Sequence, residues 1–271
     1  MKINQLTTII IILIVLIIPG YPGNVQARPE TIAILHTNDE GGARENLDAI
    51  ARYKNELKDK YDSVFLISAG GALTDHDMIQ AMNQTGYDAL NIGAAELAVG
   101  QERLQQNRDQ ADFPFLSANI DSSGSYLQQP EPYIFLDTEK GHLIAVLGLI
   151  KVTEDGIPPV DPGILGRLRF TRPVQAASSY SYLDDITNIY IGLTYFGHAN
   201  DRNLAEAREE FDIIIGGYSK TVIKNPPLIN NVLITQAGSD TDYLGKIIIE
   251  LDNEGQIISR DASLIDIKRI Y

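Results

Sequence analysis

Apolar runs of strand length recur along the chain, at 31–35, 63–67, 88–92, 143–150, 189–193, 211–215, 232–236 and 246–251. Several are continuous rather than alternating, which suits strands covered on both faces. Between the early runs the period changes. Leu47, Ile50, Tyr53 and Leu57 fall on one helical face, and Met78, Ile79, Met82 and Tyr87 form a second apolar set. Strand alternating with helix predicts βαβ units and an α/β fold. Later the pattern predicts hairpins: 133–136 and 143–149 are joined by "DTEKG", and 246–251 and 256–259 by "DNEG". The sheets are therefore expected to be mixed, with parallel units first and antiparallel additions later. The Pro/Gly-rich stretch "EDGIPPVDPGILG" at 154–166 is too short to separate domains and reads as a surface loop.

The segment before the first strand has a different character. Lys2 precedes an unbroken aliphatic run from Ile9 to Ile18, Pro19 and Gly20 break it, and Val25-Gln26-Ala27 offers small residues for cleavage. This is the layout of a secretory signal peptide spanning residues 1–27. The run is shorter than the ~20 residues a spanning helix needs. A secreted or periplasmic protein is expected, consisting of a single domain over 28–271 with no membrane attachment after cleavage. The formal net charge of −14 argues against nucleic acid or an anionic membrane as partner. There is no cysteine in the chain, so disulfides, thiol catalysis and thiolate metal sites are excluded.

Loops rich in glycine follow the predicted strands: "HTNDEGG", "SAGGAL", "GAAELAVG", "LTYFGHAND" and "GGYSKT". In an open α/β sheet the carboxyl ends of the strands converge on one rim, where ligands bind. Position thus predicts a site, yet few of these residues can do chemistry.

Taken in order, "ILHTND" (34–39), "MNQTGYDALNIGAAELAVG" (82–100), "FPFLSANI" (113–120), "DIIIGGYSKT" (212–221) and "TQAGSDTDYLGKIIIELD" (235–252) resemble the 5′-nucleotidase group of calcineurin-like metallophosphoesterases. The resemblance implies a four-layer α/β/β/α sandwich of the metallo-dependent phosphatase type, with mixed sheets. For working members it also implies a hydrolase using two divalent metals such as Mn or Zn. Two such ions sit ~3.5–4 Å apart and activate a water, and each needs about four or more N/O ligands.

Seven positions of the family supply those ligands. The resemblance places them on Asp39, Gly41, Gly71, Ala94, Tyr195, Tyr218 and Lys220, so only the first keeps a ligating side chain. The family's catalytic histidine falls on Ala95 and its aspartate partner on Ala98. Glu96 persists but is not a metal ligand in the family. No catalytic residue, bound metal or other cofactor is expected. Because the positions of Asp39 and Lys220 ligate one metal in the family, an Asp39–Lys220 ion pair is expected to replace it. Tyr195 and Tyr218 are expected to fill the second metal's place and occlude the pocket. An open cavity lined by both hydroxyls would instead indicate ligand binding.

The four histidines suggest no alternative centre. His36, near the end of a buried strand, reads as a core or hydrogen-bonded residue. His142 lies in a hairpin and reads as a surface residue. Asp75-His76-Asp77 reads as a helix N-terminus, and His198 with Asp201 as a solvated turn. No C-terminal, nucleoside-holding domain of the family's kind is expected alongside the single domain over 28–271. The expected role is an exported pseudoenzyme that binds a small ligand or a protein partner at the strand-end rim. The alternatives are an active phosphoester hydrolase with a diverged site, and a structural subunit of an exported complex.

Overall fold

A computed structural model describes residues 28–72 and 75–270. The proposed leader lies outside the described residues. In chain order the elements are β1 (Glu30–Thr37), α1 (Leu47–Leu57), β2 (Ser63–Ser68), α2 (His76–Thr85), β3 (Ala89–Asn91), α3 (Ala94–Ala98), α4 (Gln101–Gln110), β4 (Phe115–Leu116), β5 (Ile120–Asp121), β6 (Tyr133–Asp137) and β7 (Leu143–Ile150). They continue with β8 (Arg169–Phe170), α5 (Pro173–Ser179), α6 (Leu183–Ile186), β9 (Ile189–Tyr195), α7 (His198–Ala207), β10 (Ile213–Gly216), β11 (Leu228–Ile229), β12 (Val232–Thr235), β13 (Tyr243–Leu251) and β14 (Ile257–Asp266).

Two six-stranded sheets form, in the orders β14-β13-β1-β2-β3-β4 and β11-β12-β10-β9-β7-β6, with β5 and β8 as a separate pair. Within the first sheet β1 to β4 are parallel, while β13 and β14 are antiparallel additions. In the second, β7, β9, β10 and β12 are parallel, flanked by antiparallel β6 and β11.

Alternation along each strand sorts its side chains to two faces. From β1, Ile32 and Ile34 enter a core shared with Ile144, Val146, Ile191 and Ile213 of the second sheet. Ala33 and Leu35 point the other way, onto Leu47, Ile50, Met78 and Met82 of α1 and α2. On the far side Leu147, Tyr190 and Ile214 pack with Ala176, Leu183 and Leu204 of α5, α6 and α7. The layers are therefore helix, sheet, sheet, helix. The continuous apolar runs have their cause here, since a strand covered on both faces has no polar side. Truncating one such side chain, as in Ile34→Ala, costs about 2–5 kcal/mol.

Local signals account for the element ends. Asp75 caps α2 by accepting from Met78 N at 2.7 Å, as its acidic start predicted. Gly86 ends that helix in the left-handed conformation at φ 77°. The stretch 154–166 is a loop at the surface, as expected, with an apolar underside: Ile157, Val160 and Ile164 pack against the helix-side core of the first sheet, Leu165 is buried there, and Gln101 of α4 holds the Leu165 carbonyl at 2.7 Å.

Candidate functional site

The carboxyl ends of β1, β2, β3, β9, β10 and β12 meet on one rim, and Asp39 ties together all of them but β3. Asp39 is buried with φ 51°. Its N–H donates to Gly70 O at 2.8 Å, and its carbonyl accepts from Asp240 N at 2.9 Å. Its carboxylate accepts from Tyr195 Oη at 2.9 Å, Asn38 Nδ2 at 2.9 Å and Tyr218 N at 2.8 Å. Burial pushes the Asp39 carboxyl up, and these three donors together with the charge of Lys220 pull it back. The expected Asp39–Lys220 ion pair is not formed. Lys220 Nζ lies within 4.0 Å of no acidic oxygen among the described residues, and the lysine is exposed. The physical reason is that neutral donors already satisfy the carboxylate where water is scarce, and a lysine head left in water avoids desolvation.

Tyr195 ends β9 and is buried. Its ring is walled by glycine. A Cβ on Gly93 would lie 2.8 Å from Cδ1, one on Gly217 2.8 Å from Cδ2, and one on Gly71 2.8 Å from Oη. Gly71 also sits at φ 90°, which disfavours any side chain there. Ring and glycines are thus complementary: the loop backbones close onto the phenol where side chains would otherwise stand. Burial and the neighbouring Asp39 carboxylate hold the phenol far above its usual titration range, so it remains a neutral donor.

Tyr218 is placed differently from the expectation that both tyrosines fill the pocket. It is half-buried at φ 77°, its ring centroid 5.6 Å from that of Tyr195 in an edge-on arrangement. Lys151 Nζ stands over the Tyr218 ring, 4.1 Å from its centroid. Tyr218 is therefore a rim residue rather than a filler.

Of the remaining positions, Gly41 is exposed and donates its N–H to Gly71 O at 3.0 Å, closing the first loop on the second. Ala94 and Ala95 are half-buried at the start of α3, and Ala98 is exposed at its end.

Glu96 is fully buried and serves the backbone. It accepts from Gly93 N at 2.8 Å, Gly71 N at 3.1 Å and Ala72 N at 2.7 Å, which offsets the burial that raises its pKa. Three residues of the site escaped sequence reasoning. Asn38 bridges Asp39 to Gly238 O and Ala237 N, and Asp240 closes the last loop. Glu40 is fully buried beneath the rim, accepting from Thr37 Oγ1 and Ser68 Oγ, with Tyr87 Oη 2.9 Å from Thr37 Oγ1. Burial pushes the Glu40 carboxyl up to about 7. The one available signal was a second acid beside Asp39 directly after a strand.

The histidines divide. His36 is a buried core residue beside Thr235 Oγ1 at 3.2 Å, as expected. His142 is partly covered and lies 2.6 Å from the buried Glu30, so it is not a free surface residue. His198 and Asp201 begin helix α7 rather than a solvated turn. Asp201 is fully buried against Thr194, and burial raises its pKa to about 8.

A two-metal centre needs convergent N/O donors and room for two ions. Here the one carboxylate at the ligand positions has its oxygens turned to Tyr195, Asn38 and Tyr218, and a phenol ring occupies the space between the loops. Among the described residues no group of three or more His, Asp or Glu side chains is arranged to hold a metal. The residues present do not fit such a centre.

Among solved structures, the chain superposes on a 5′-nucleotidase precursor of Thermus thermophilus with a TM-score of 0.74 over 87% of its length and 54% of that chain, at 20% identity. It matches the calcineurin-like phosphoesterase YfkN of Bacillus subtilis at 0.72 over 89% of this chain and 92% of that one, at 17% identity. The fold is that of the 5′-nucleotidase-type phosphoesterases. Curated relatives point the same way. The 5′-nucleotidase of Vibrio parahaemolyticus is 28% identical over 88% of this chain and 51% of its own. The trifunctional nucleotide phosphoesterase YfkN of Bacillus subtilis is 27% identical over 87% of this chain and 19% of its own. The chain thus spans about half the length of the first and a fifth of the second. No family model matches it.

Proposed function

We propose that this phosphoesterase-fold chain is catalytically silent and acts by binding at the strand-end rim. One observation carries the reading: the Tyr195 ring, seated among Gly71, Gly93 and Gly217 with its hydroxyl on Asp39, takes both the space and the carboxylate a dinuclear centre requires. The positive-φ backbone at Asp39, Tyr218 and Lys220 supports a retained role for the rim, since strained conformations cost about 1–3 kcal/mol each and concentrate at functional sites. Tyr218, Lys151 and Lys220 are the side chains presented there to a small ligand or a protein.

Export is the second part of the reading. It rests on the leader-like pattern of residues 1–27, and among the described residues no helix is long and apolar enough to cross a membrane.

The test is metal analysis of the purified protein together with calorimetric titration of Mn and Zn and an assay on nucleoside 5′-monophosphates. Neither stoichiometric metal nor turnover is expected. Stoichiometric metal with turnover would establish the alternative, an active hydrolase with a diverged site. N-terminal sequencing of the exported protein checks cleavage after Ala27.

A further inference from the structure

A cavity of about 690 Å³ opens at the end of the molecule opposite the rim, where α1 leads into the start of β2 and β6 turns toward β7. Its size falls in the range of small-ligand sites, roughly 300–1,000 Å³.

The two walls belong to different sheets. Lys58, which ends α1, and Lys60, in the turn after it, stand on the side of the first sheet. Asp137, which ends β6, and Glu139, in the turn after it, stand on the side of the second. Glu139 N donates to Ser63 Oγ at 2.9 Å and ties one wall to the other. The floor is apolar. Tyr61, Val64 and Phe65 are half-buried in it, Phe65 packing on the core between the sheets and the other two on the helix-side core.

The charges around this cavity are of two kinds. Asp62 is committed to the fold: it accepts from Thr31 N at 2.8 Å and Thr31 Oγ1 at 3.0 Å and pairs with Arg28. Lys58, Lys60, Asp137 and Glu139 are exposed, and none has an opposite charge within 4.0 Å among the described residues. Asp59, between the lysines, leaves their wall still cationic. Elsewhere on the surface opposite charges do meet, as Arg169 meets Asp121 and Lys268 meets Asp242, both at 2.7 Å. Here cations and carboxylates share one cavity and leave a gap between them.

We infer that this cavity binds a short zwitterionic peptide, with its carboxylate at Lys58 and Lys60, its ammonium at Asp137 and Glu139, and an apolar side chain on the floor at Phe65. The length follows from the layers. Stacked sheets lie about 10 Å apart, and three extended residues span about 10 Å, so a tripeptide reaches from wall to wall. The direction follows from the charges, since a reversed peptide sets like against like at both ends. A zwitterion carries no net charge, so the chain's formal −14 does not repel it. The site shares no residue with the rim.

Calorimetric titration of the purified protein with the tripeptide alanyl-phenylalanyl-alanine tests this. Saturable binding of one peptide per chain is expected. The N-acetylated and the C-amidated forms, each lacking one end charge, are each expected to bind about tenfold more weakly. The walls have separate tests. Lys58→Ala with Lys60→Ala is expected to weaken the free peptide about tenfold and leave the C-amidated form unchanged. Asp137→Asn with Glu139→Gln is expected to weaken the free peptide and leave the N-acetylated form unchanged. Circular dichroism of both variants is expected to match the parent. No saturable binding at millimolar peptide overturns the inference. So does equal binding of the three forms, or a variant that weakens all three alike.

Discussion

The two halves of the rim hold together by different means. On the first sheet, the loops after β1, β2 and β3 are joined by backbone groups and a buried carboxylate: Gly71 O receives Gly41 N, and Glu96 collects the N–H groups of Gly93, Gly71 and Ala72. On the second sheet, the loops after β9 and β10 project aromatic rings, Tyr195 inward and Tyr218 along the opening. One half is a frame of hydrogen-bonded loops and the other is the filling placed against it. A buried carboxylate at such a rim needs both: the space beside it is filled by the Tyr195 ring, and Asp39 keeps its donors.

Removing the filling should separate the two halves most strongly. Tyr195→Ala is expected to destabilise the protein by about 3–5 kcal/mol, through the lost ring and the donor lost to Asp39. Tyr218→Ala, half-buried and donating to Asp39 only through its backbone, is expected to cost about 1 kcal/mol. Urea unfolding of both variants measures the contrast, and equal losses would contradict the division of roles.

Complementarity between ring and loop is tested next. Gly71→Asp introduces a Cβ 2.8 Å from Tyr195 Oη at φ 90° and is expected to cost about 2–4 kcal/mol. Combined with Tyr195→Ala, the loss is expected to fall short of the sum by about 1–2 kcal/mol, because the ring is part of what the new side chain strikes. A double-mutant cycle reads this coupling, and strict additivity would separate glycine from ring.

A smaller effect probes the frame from beneath. An unfolded glutamate releases its proton near 4.5, whereas burial keeps that of Glu40 to about 7. Between those values the folded state holds a proton the unfolded chain has lost, so this group's contribution falls as pH rises through the window and is constant above it. Glu40→Gln keeps an acceptor for Thr37 and Ser68 and removes the slope. Relative to the parent, the variant is expected to gain stability on the order of 1–3 kcal/mol between about pH 4.5 and pH 8. His36 acts oppositely: burial lowers its pKa from 6.5 to about 3, so its contribution is lost as pH falls below 6.5. Thermal melts across pH resolve the two signs.

The least change is expected at the cation that was to stand in for a metal. Lys220→Ala should alter stability by no more than about 0.5 kcal/mol, since the lysine is exposed and forms no ion pair among the described residues. A larger loss in urea unfolding would show that its charge holds Asp39 after all.

Most of the fold was legible along the chain. The apolar runs at 31–35, 63–67, 143–150 and 189–193 fall on β1, β2, β7 and β9, and both hairpins formed where "DTEKG" and "DNEG" stand. The two-residue strands β4, β5, β8 and β11 were not, because so short a run has no period to read. At the site, the resemblance pointed to Asp39, and Asp39 is buried where the strand-end loops meet. What the residues there do to one another was not legible. The lysine turned outward, one tyrosine filled the pocket and the other did not, and Glu40 and Asp201 proved buried although charged residues ordinarily stay exposed.

The strands, the helices between them and the mixed sheets follow from the order of amino acids alone, because hydrophobic period is a property of neighbouring positions; the four layers and the ligand positions were implied by the resemblance to the 5′-nucleotidase group. What occupies the emptied place, and which donors Asp39 keeps, was settled by the folded arrangement. Those contacts join atoms 156 and 179 residues apart in the chain, whose distances are set by how two sheets pack and not by any local pattern.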